Sequence, residues 1–171
     1  IEQLPLVHFR VMPGTETPFE ESVGAMFDMQ KTGKIRHVGV SCVTPGELSR
    51  AMYMGKIASV ENVFGHGQRS TFSSYGRENR GMLEVMSICR QHNIAMIPYW
   101  SLESSLKKAD DRIKTVARKY GATAAQINLA WLLQYDNLLL PIPGTSKLKH
   151  FEENCKAFEI SLTAEDMQFL E

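Results

Sequence analysis

The segment LLLPIPGTSKLKHFEEN, residues 138–154, joins an apolar run to a polar turn and the start of a helix. Its first five residues, 138–142, have the length and composition of a buried strand. Pro141 and Pro143 fix φ on both sides of Ile142, and Gly144 allows the backbone to come close to a ligand. The segment therefore predicts a strand that is followed by a ligand-binding turn.

Two hydroxyls and an ammonium group follow this strand, on Thr145, Ser146 and Lys147. A helix predicted for residues 146–158 would add free N–H groups and the positive end of its dipole. Together these groups could hold a phosphate, with each charge-assisted hydrogen bond contributing about 1.5–3 kcal/mol. The alternative is a simple helix N-cap, because Ser and Thr are favoured at that position. The turn considered by itself leaves both interpretations open.

Strand-sized apolar runs alternate along the rest of the chain with helical patterns. The strands are predicted at residues 5–9, 36–41, 57–63, 94–99 and 138–142. The later runs are continuously hydrophobic, which is typical of a parallel sheet buried on both faces. About five βα units follow one another without a linker. We therefore expect a single domain over residues 1–171.

The helix boundaries are marked by capping residues. Hydroxyl N-caps are predicted at Thr17, Thr44, Thr123 and Thr163. Helix ends are predicted at Gly33, Gly55, Asn93 and Gly121. The predicted helix at 80–92 carries Leu83, Met86 and either Cys89 or Arg90 on one stripe, and the one at 146–158 carries Phe151, Cys155 and Phe158. We expect both stripes to be buried and residues 65–81 to form a long loop.

Two architectures fit five βα units. One is a flavodoxin-like doubly wound sheet, and the other is part of an eight-unit (β/α)8 TIM-barrel fold. Both place ligands at the carboxyl ends of the strands, so the residues at those ends are the candidates for function. They are His8-Phe9-Arg10, Ser41-Cys42, Glu61-Asn62, Tyr99-Trp100-Ser101 and residues 144–147.

Composition narrows the class of protein. The 171 residues are 43% hydrophobic, and 19 basic residues balance 19 acidic ones, so no nucleic-acid partner is indicated. The apolar runs are shorter than the roughly 20 residues of a membrane span. Three cysteines without CxxC spacing predict neither a metal site nor a disulfide framework and favour a cytoplasmic location. The chain opens at Ile1 without a methionine, and we expect a segment upstream of it.

Several motifs together resemble the aldo-keto reductase family. They are GKIRHVGVS (33–41), ASVENVF (58–64), IAMIPYWSL (94–102), KYGATAAQINLAWLL (119–133) and PIPGTSK…H..EEN (141–154). The resemblance covers nearly the whole chain. It implies strands four to eight of the family's (β/α)8 barrel, which makes this the C-terminal portion and displaces the flavodoxin-like alternative.

The resemblance implies NADP as the cofactor and a role for each strand end. Ser41 matches the serine that binds the nicotinamide carboxamide, although the neighbouring family asparagine is Cys42 here. Glu61 stands where the family has a glutamine, and its carboxylate accepts hydrogen bonds but cannot donate them. Tyr99 matches the aromatic residue that stacks on the nicotinamide ring. Trp100, Ser101 and Leu102 match the segment along the pyrophosphate.

The C-terminal motif matches the adenosine end of the same cofactor. Thr145, Ser146 and Lys147 correspond to residues around the 2′-phosphate, next to Gly144 at the end of the strand. Glu153 and Asn154 correspond to residues near the adenine. His150 occupies a place where many members of the family carry an arginine. The resemblance therefore implies a preference for NADP over NAD, and that preference depends largely on residues 138–154.

The implied chemistry is reversible hydride transfer that reduces a small-molecule carbonyl compound to an alcohol. His8 matches the histidine that orients the carbonyl, with a structural strand-end histidine as the alternative. The family's tyrosine, lysine and aspartate are expected upstream of Ile1, so this chain by itself should be inactive. A non-catalytic NADP-binding or redox-sensing barrel relative is the alternative function, because Cys42 and Glu61 replace the usual amide-binding pair.

Two further expectations concern surfaces. Open strand edges predict pairing with the missing N-terminal half or self-association. The remaining histidines, His37, His66 and His92, are interpreted as surface residues, and the substrate-facing candidates in the predicted loop are Arg69, Tyr75 and Arg77.

Overall fold

The computed structural model describes residues 2–67, 71–74, 77–102 and 111–171. The chain forms two compact units, which are described separately below. Unit 1 comprises Ile1–Val63 and Ser70–Ile97, and unit 2 comprises Phe64–Arg69 and Pro98–Glu171. The substrate-facing candidates Arg69 and Tyr75 and the side chain of Arg77 lie outside the described part of the chain.

Unit 1 alternates strands and helices. Its elements are β1 (Leu4–Arg10), α1 (Phe19–Lys31), β2 (Ile35–Ser41), α2 (Pro45–Met54), β3 (Ile57–Val63), β4 (Thr71–Ser74), β5 (Arg77–Arg80), α3 (Met82–His92) and the start of β6 (Ala95–Tyr99). The sheet has the order β1-β2-β3-β6, and β1 runs parallel to β2 and β2 parallel to β3. The predicted parallel α/β arrangement is confirmed, with four predicted strands within a residue or so of their observed bounds.

The predicted long loop at residues 65–81 contains regular structure. β4 and β5 form an antiparallel two-stranded ladder from the Thr71–Arg80 pair to the Ser74–Arg77 pair. The expectation of a loop was wrong because Gly, Ser and charged residues are poor strand formers by propensity, whereas backbone pairing in a hairpin tolerates them.

Local capping signals locate most helix ends in unit 1. Thr44 caps α2 in the predicted capping box, with its hydroxyl accepting from the Glu47 N–H at 3.4 Å and the Glu47 carboxylate accepting from the Thr44 N–H at 2.8 Å. Gly33 adopts φ +76° just after α1, as its predicted left-handed exit requires. The Thr17 cap was wrong: Pro18 occupies the N-cap of α1, and no side chain caps it.

The buried stripe of α3 differs from the prediction. The helix begins at Met82, after Gly81 at φ +70°. Its buried residues are Met82, Val85, Met86 and Cys89, whereas Leu83 is exposed. Met86 and Cys89 are thus buried as predicted, whereas Met82 takes the core position that was predicted for Leu83.

Unit 2 is mainly helical in its described part. Its helices are α4 (Asp111–Tyr120), α5 (Ala124–Tyr135), α6 (Leu148–Cys155), a 3₁₀ turn (Lys156–Glu159) and α7 (Ala164–Leu170). The central helix is α5, on which Ile127, Ala130, Trp131 and Leu132 are completely buried. Trp131 packs against Phe64 and Tyr135, with ring centroids 6.2 and 4.6 Å away.

Capping boxes also begin two helices of this unit. Thr123 pairs with Gln126 at the start of α5, and Thr163 pairs with Asp166 at the start of α7, as predicted. The buried Asp166 carboxylate additionally accepts hydrogen bonds from Lys119 Nζ (2.8 and 2.9 Å) and the Tyr120 hydroxyl (2.5 Å). Desolvation would raise the pKa of Asp166, but these hydrogen bonds and those from Thr163 outweigh it and lower the pKa well below its ordinary value.

The predicted fifth strand at residues 138–142 does not form. A single bridge residue, Leu139, is its only ladder contact in the described structure, and Leu140 and Ile142 are half exposed. Pro141 and Pro143 lack an N–H and so cannot donate to a neighbouring strand. The prolines thus favour an extended segment over a paired strand.

The predicted helix at 146–158 is shorter, and its apolar stripe faces outward. Phe151 and Phe158 are 57% and 76% exposed, and Cys155 is exposed as well. The inward face is instead polar: Asn154 is buried, and the Glu153 carbonyl accepts a 2.9 Å hydrogen bond from Gln126 of α5. The prediction was wrong because it assigned the inward face to the apolar side chains.

None of the helices in the described ranges combines the length and the apolar character that a membrane crossing requires. Within those same ranges, His, Cys, Asp and Glu side chains form no group of three that could hold a metal ion.

Candidate functional site

The register of unit 1 places three predicted site residues, His8, Ser41 and Glu61, in two rows of paired residues across β1, β2 and β3. His8 pairs with Gly39 and Gly39 with Ser59, while Arg10 pairs with Ser41 and Ser41 with Glu61. Residues two apart on a strand point to the same face. The rows therefore lie on one face of the sheet, and the second row is at the carboxyl ends of the strands.

His8 reaches across the sheet from β1 to β3. Its Nε2 is 2.8 Å from the Ser59 hydroxyl, and its Nδ1 is 3.8 Å from a Glu61 carboxylate oxygen. The ring lies over Gly39, because a Cβ added at that position would overlap it. The structure thus brings together His8 and Glu61, two residues that the sequence predicted separately.

The charge state of His8 follows from its surroundings. Desolvation lowers the pKa of the ring below its ordinary value, and the nearby Glu61 carboxylate opposes that shift without overcoming it. His8 is therefore neutral at pH 7, with one ring nitrogen donating and the other accepting. A neutral imidazole can hold a polar group in place without a competing positive charge.

The backbone turns sharply where β2 ends. Ser41 is buried, and Cys42 adopts φ +58°, a left-handed conformation that is uncommon for a cysteine. The Cys42 N–H donates to the Glu61 carbonyl at 3.1 Å. Asn62 supports the next residue, since its side chain accepts from the Val43 N–H (3.1 Å) and donates to the Val43 carbonyl (2.7 Å).

A second sharp turn follows β6, in unit 2. Tyr99 is buried, Trp100 adopts φ +54°, and the two rings meet edge-on with centroids 5.8 Å apart. Ser101 is 1% exposed, and its hydroxyl has no hydrogen-bond partner among the described residues. This buried hydroxyl lies in the segment that the sequence assigned to the cofactor.

A cavity of about 280 Å³ collects the largest set of predicted site residues. Six of them line it: Leu102, Gly144, Thr145, His150, Glu153 and Asn154. His150, Glu153 and Asn154 are spaced i, i+3 and i+4 on α6, which puts them on the same face of that helix. Thr123, Ala124 and Ala125 complete the wall.

Three residues of the cavity wall, Thr123, Ala124 and Ala125, were not predicted as site residues. The sequence did predict Thr123 as the N-cap of α5. That signal located the start of the helix but did not indicate that this start lines the cavity. Ser146 and Lys147 do not line the cavity, and both are exposed. Lys147 is the N-cap residue of α6, and its N–H donates to the Thr145 hydroxyl at 3.2 Å.

The histidines outside the site divide into two groups. His37 and His92 are exposed, as predicted. His66 is 4% exposed and packs edge-on against Trp131 with centroids 5.9 Å apart, so its assignment to the surface was wrong. An aromatic partner distant in sequence supplied that environment, and no local pattern marks it.

The family model for the aldo/keto reductase family matches residues 8–171, and the chain belongs to that family. An uncharacterized oxidoreductase of Schizosaccharomyces pombe, C215.11c, is 36% identical over 151 residues, which are 88% of this chain and 46% of that protein. Pyridoxine 4-dehydrogenase of Escherichia coli is 30% identical over 176 residues, covering 100% of this chain and 58% of that protein. The chain thus spans about half the length of these curated relatives.

Solved structures agree with this assignment. The thermostable aldo-keto reductase Tm1743, in complex with the inhibitor epalrestat, superposes with a TM-score of 0.81 at 29% identity, over 99% of this chain and 59% of that one. An aldo-keto reductase from Klebsiella pneumoniae superposes with a TM-score of 0.76 at 24% identity, over 99% of this chain and 58% of the other. The barrel-type fold class is confirmed, and the flavodoxin-like alternative was wrong.

Proposed function

We propose that this chain forms the NADP-binding, C-terminal part of an aldo-keto reductase that reduces small-molecule carbonyl compounds to alcohols. The observation that carries the proposal is the cavity in unit 2, because six residues expected at the cofactor line this one pocket. A fission yeast relative that is 28% identical over 180 residues is named as an NADP(+) aldo-keto reductase, and the Klebsiella enzyme was solved with NADPH.

The cavity suits one part of such a cofactor. Its volume of about 280 Å³ is just below the roughly 300–1,000 Å³ of pockets that enclose a whole small ligand. A nucleoside portion is therefore a better match than an entire dinucleotide. The wall combines apolar Leu102 with polar His150 and Asn154. The buried Ser101 hydroxyl, next to Leu102 in the chain, is a polar group available to a ligand.

We assign the adenosine end to this cavity and the 2′-phosphate to its rim. Glu153, Asn154 and His150 would surround the adenine. Thr145, Ser146 and Lys147 would contact the phosphate, for which the exposed Lys147 side chain supplies the positive charge. The free N–H groups at the start of α6 add favourable partial charge.

The nicotinamide end is assigned to the strand ends. In unit 1, Ser41 and Glu61 would contact the amide. In unit 2, Tyr99 would contact the ring, and Trp100, Ser101 and Leu102 would follow the pyrophosphate. When bound, the dinucleotide would supply a hydride to the carbonyl carbon. His8, kept neutral by burial, would orient the carbonyl oxygen. The oxygen would take its proton from the family's tyrosine, assisted by a lysine and an aspartate outside residues 1–171.

Three further proposals follow from this assignment. The 171-residue chain without those three residues should show little or no turnover. It should also associate, with the remainder of a barrel or with itself, because half-exposed Leu4 and Leu6 lie on β1 at the edge of the sheet. The cytoplasm is the proposed location, consistent with cysteines that are free in the described structure.

The cofactor assignment is tested with Lys147→Ala in the full-length protein, measured by NADPH and NADH titrations. If Lys147 contacts the 2′-phosphate, the loss of about 1.5–3 kcal/mol weakens NADPH binding about tenfold to 150-fold and leaves NADH binding unchanged. Lys156→Ala removes the same charge from an exposed position outside the cavity and serves as the control. Unchanged NADPH affinity in Lys147→Ala would contradict the phosphate assignment.

The catalytic claim is tested with NADPH and a generic aldehyde. The full-length protein should oxidise NADPH in the presence of the aldehyde, whereas the absence of oxidation at any pH would overturn the claim. NADPH binding without turnover would instead favour a non-catalytic, redox-sensing protein. The departure at Cys42, which is buried next to Ser41, motivates that second candidate.

A further inference from the structure

Asn128 on α5 is a completely buried amide that binds two separate backbone segments. Its Oδ1 accepts a hydrogen bond from the His66 N–H at 3.4 Å, and its Nδ2 donates to the Ser101 carbonyl. Its exposed fraction is 0%. Because a buried amide without partners is costly, these two bonds account for the presence of a polar residue at a core position.

The two segments that Asn128 joins follow different strands. His66 comes shortly after β3, and Ser101 comes shortly after β6, in the stretch proposed to lie along the pyrophosphate. Leu102, the next residue, lines the cavity. Asn128 therefore holds the backbone at the point where the chain leaves β6 and enters the cavity wall.

The turn after β6 depends on support from elsewhere. Trp100 has φ +54°, a conformation that is unfavourable for a bulky side chain and persists where its surroundings enforce it. The Ser101 hydroxyl has no hydrogen-bond partner in the described residues, so it does not anchor the turn there. The bond from Asn128 to the Ser101 carbonyl supplies such an anchor.

We propose that Asn128 is a positioning residue for the cofactor: by holding the Ser101 carbonyl, it fixes the Ser101–Leu102 peptide against the pyrophosphate. The proposal rests on the proposed function. Asn128 does not itself line the cavity, so it acts through the backbone of residues 101–102. The pyrophosphate is common to NADPH and NADH. Loss of Asn128 should therefore weaken both cofactors by the same factor, unlike loss of Lys147.

Gln134, an exposed residue on the same helix, offers a control for the loss of amide-to-backbone hydrogen bonds. Its Nε2 donates to the Ile160 carbonyl at 3.0 Å, and its Oε1 accepts from the Leu162 N–H at 3.0 Å. It thus makes the same pair of amide-to-backbone bonds as Asn128, to a segment that does not line the cavity. Ile127→Val, which trims a fully buried neighbour, controls for lost packing.

The test uses the full-length protein and compares Asn128→Ala, Asn128→Asp, Gln134→Ala and Ile127→Val well below their unfolding temperatures. The two Asn128 variants should raise the Kd of NADPH and of NADH about tenfold each, which corresponds to the loss of one well-formed hydrogen bond. In its ionised form, Asn128→Asp keeps the acceptor for His66 and loses the donor to Ser101, so it separates the two bonds. If Asn128→Ala does not fold, the Kd values of Asn128→Asp for NADPH and NADH test the positioning role. The two control variants should bind as the wild type does.

The outcomes separate this proposal from the proposed function. If the wild-type protein binds neither cofactor, the proposed function fails. If the wild type binds NADPH and the folded Asn128 variants bind it equally well, the positioning role alone is overturned. Equal weakening in Gln134→Ala would also overturn it, because the effect would then reflect a general loosening of α5. A change in NADPH affinity without a change in NADH affinity would likewise contradict a pyrophosphate role.

Discussion

Gly39→Ala tests the packing of His8 across the sheet. A Cβ at residue 39 would lie 2.7 Å from His8 Nε2 and 3.1 Å from its Cγ, and the nearest atoms to that Cβ all belong to the His8 ring. Real Cβ atoms do not approach so closely, so the ring must move. Moving it breaks the 2.8 Å contact between Nε2 and the Ser59 hydroxyl.

The expected cost combines three contributions. Overpacking of a filled site costs about 1–3 kcal/mol, and the lost hydrogen bond costs about 0.5–1.5 kcal/mol. Replacing Gly by Ala in an extended strand returns about 0.4–1 kcal/mol by restricting the unfolded chain. We therefore expect Gly39→Ala to lower the free energy of unfolding by about 2 kcal/mol, most of it from the clash and the broken bond.

A double-mutant cycle with His8→Ala isolates the interaction, with urea unfolding of the full-length protein at pH 7 as the assay. In the His8→Ala background the ring is gone, so Gly39→Ala should be neutral or stabilising by up to about 1 kcal/mol. If Gly39→Ala destabilises both backgrounds equally, the ring does not lie over residue 39 and the described geometry of the site is wrong.

Two further predictions concern the Asp166 cluster. Thr163→Ala removes the capping hydroxyl of α7 and should lower the free energy of unfolding in urea by about 1 kcal/mol. The control Ser49→Ala loses only a bond from an exposed side chain to the Pro45 carbonyl within α2 and should change stability by less than about 0.5 kcal/mol. Equal costs would contradict the capping role. The lowered pKa of Asp166 keeps it ionised at pH values where the unfolded chain, with a pKa of about 3.9, takes up a proton. Its stabilisation is therefore full well above pH 4 and is lost as the pH falls toward the folded-state pKa. The stability difference between wild type and Asp166→Asn should shrink between pH 7 and pH 3, and parallel pH curves would refute this.

The sequence by itself determined the features that depend on neighbours in the chain. The capping boxes at Thr44, Thr123 and Thr163 and the left-handed residues Gly33 and Gly121 lie where the pattern predicted them. A cap requires only groups three residues apart, and a glycine can adopt a positive φ without the steric penalty of a Cβ. Several short motifs of the sequence also resemble those of the family, and together they indicated the barrel-type fold.

Tertiary structure decided which face of an element turns inward and which residues meet. The apolar stripe of Phe151 and Phe158 predicted a buried face, yet α6 buries Asn154 instead, and its Glu153 carbonyl accepts a hydrogen bond from Gln126 of α5. Glu153 and Asn154 also line the cavity. His66 owes its burial to Trp131, 65 positions further along the chain, and its backbone N–H is satisfied by Asn128. Such partners are distant in sequence, and they meet only when the helices pack in the folded protein. Local periodicity contains no information about that packing, so the sequence pattern could not predict these contacts.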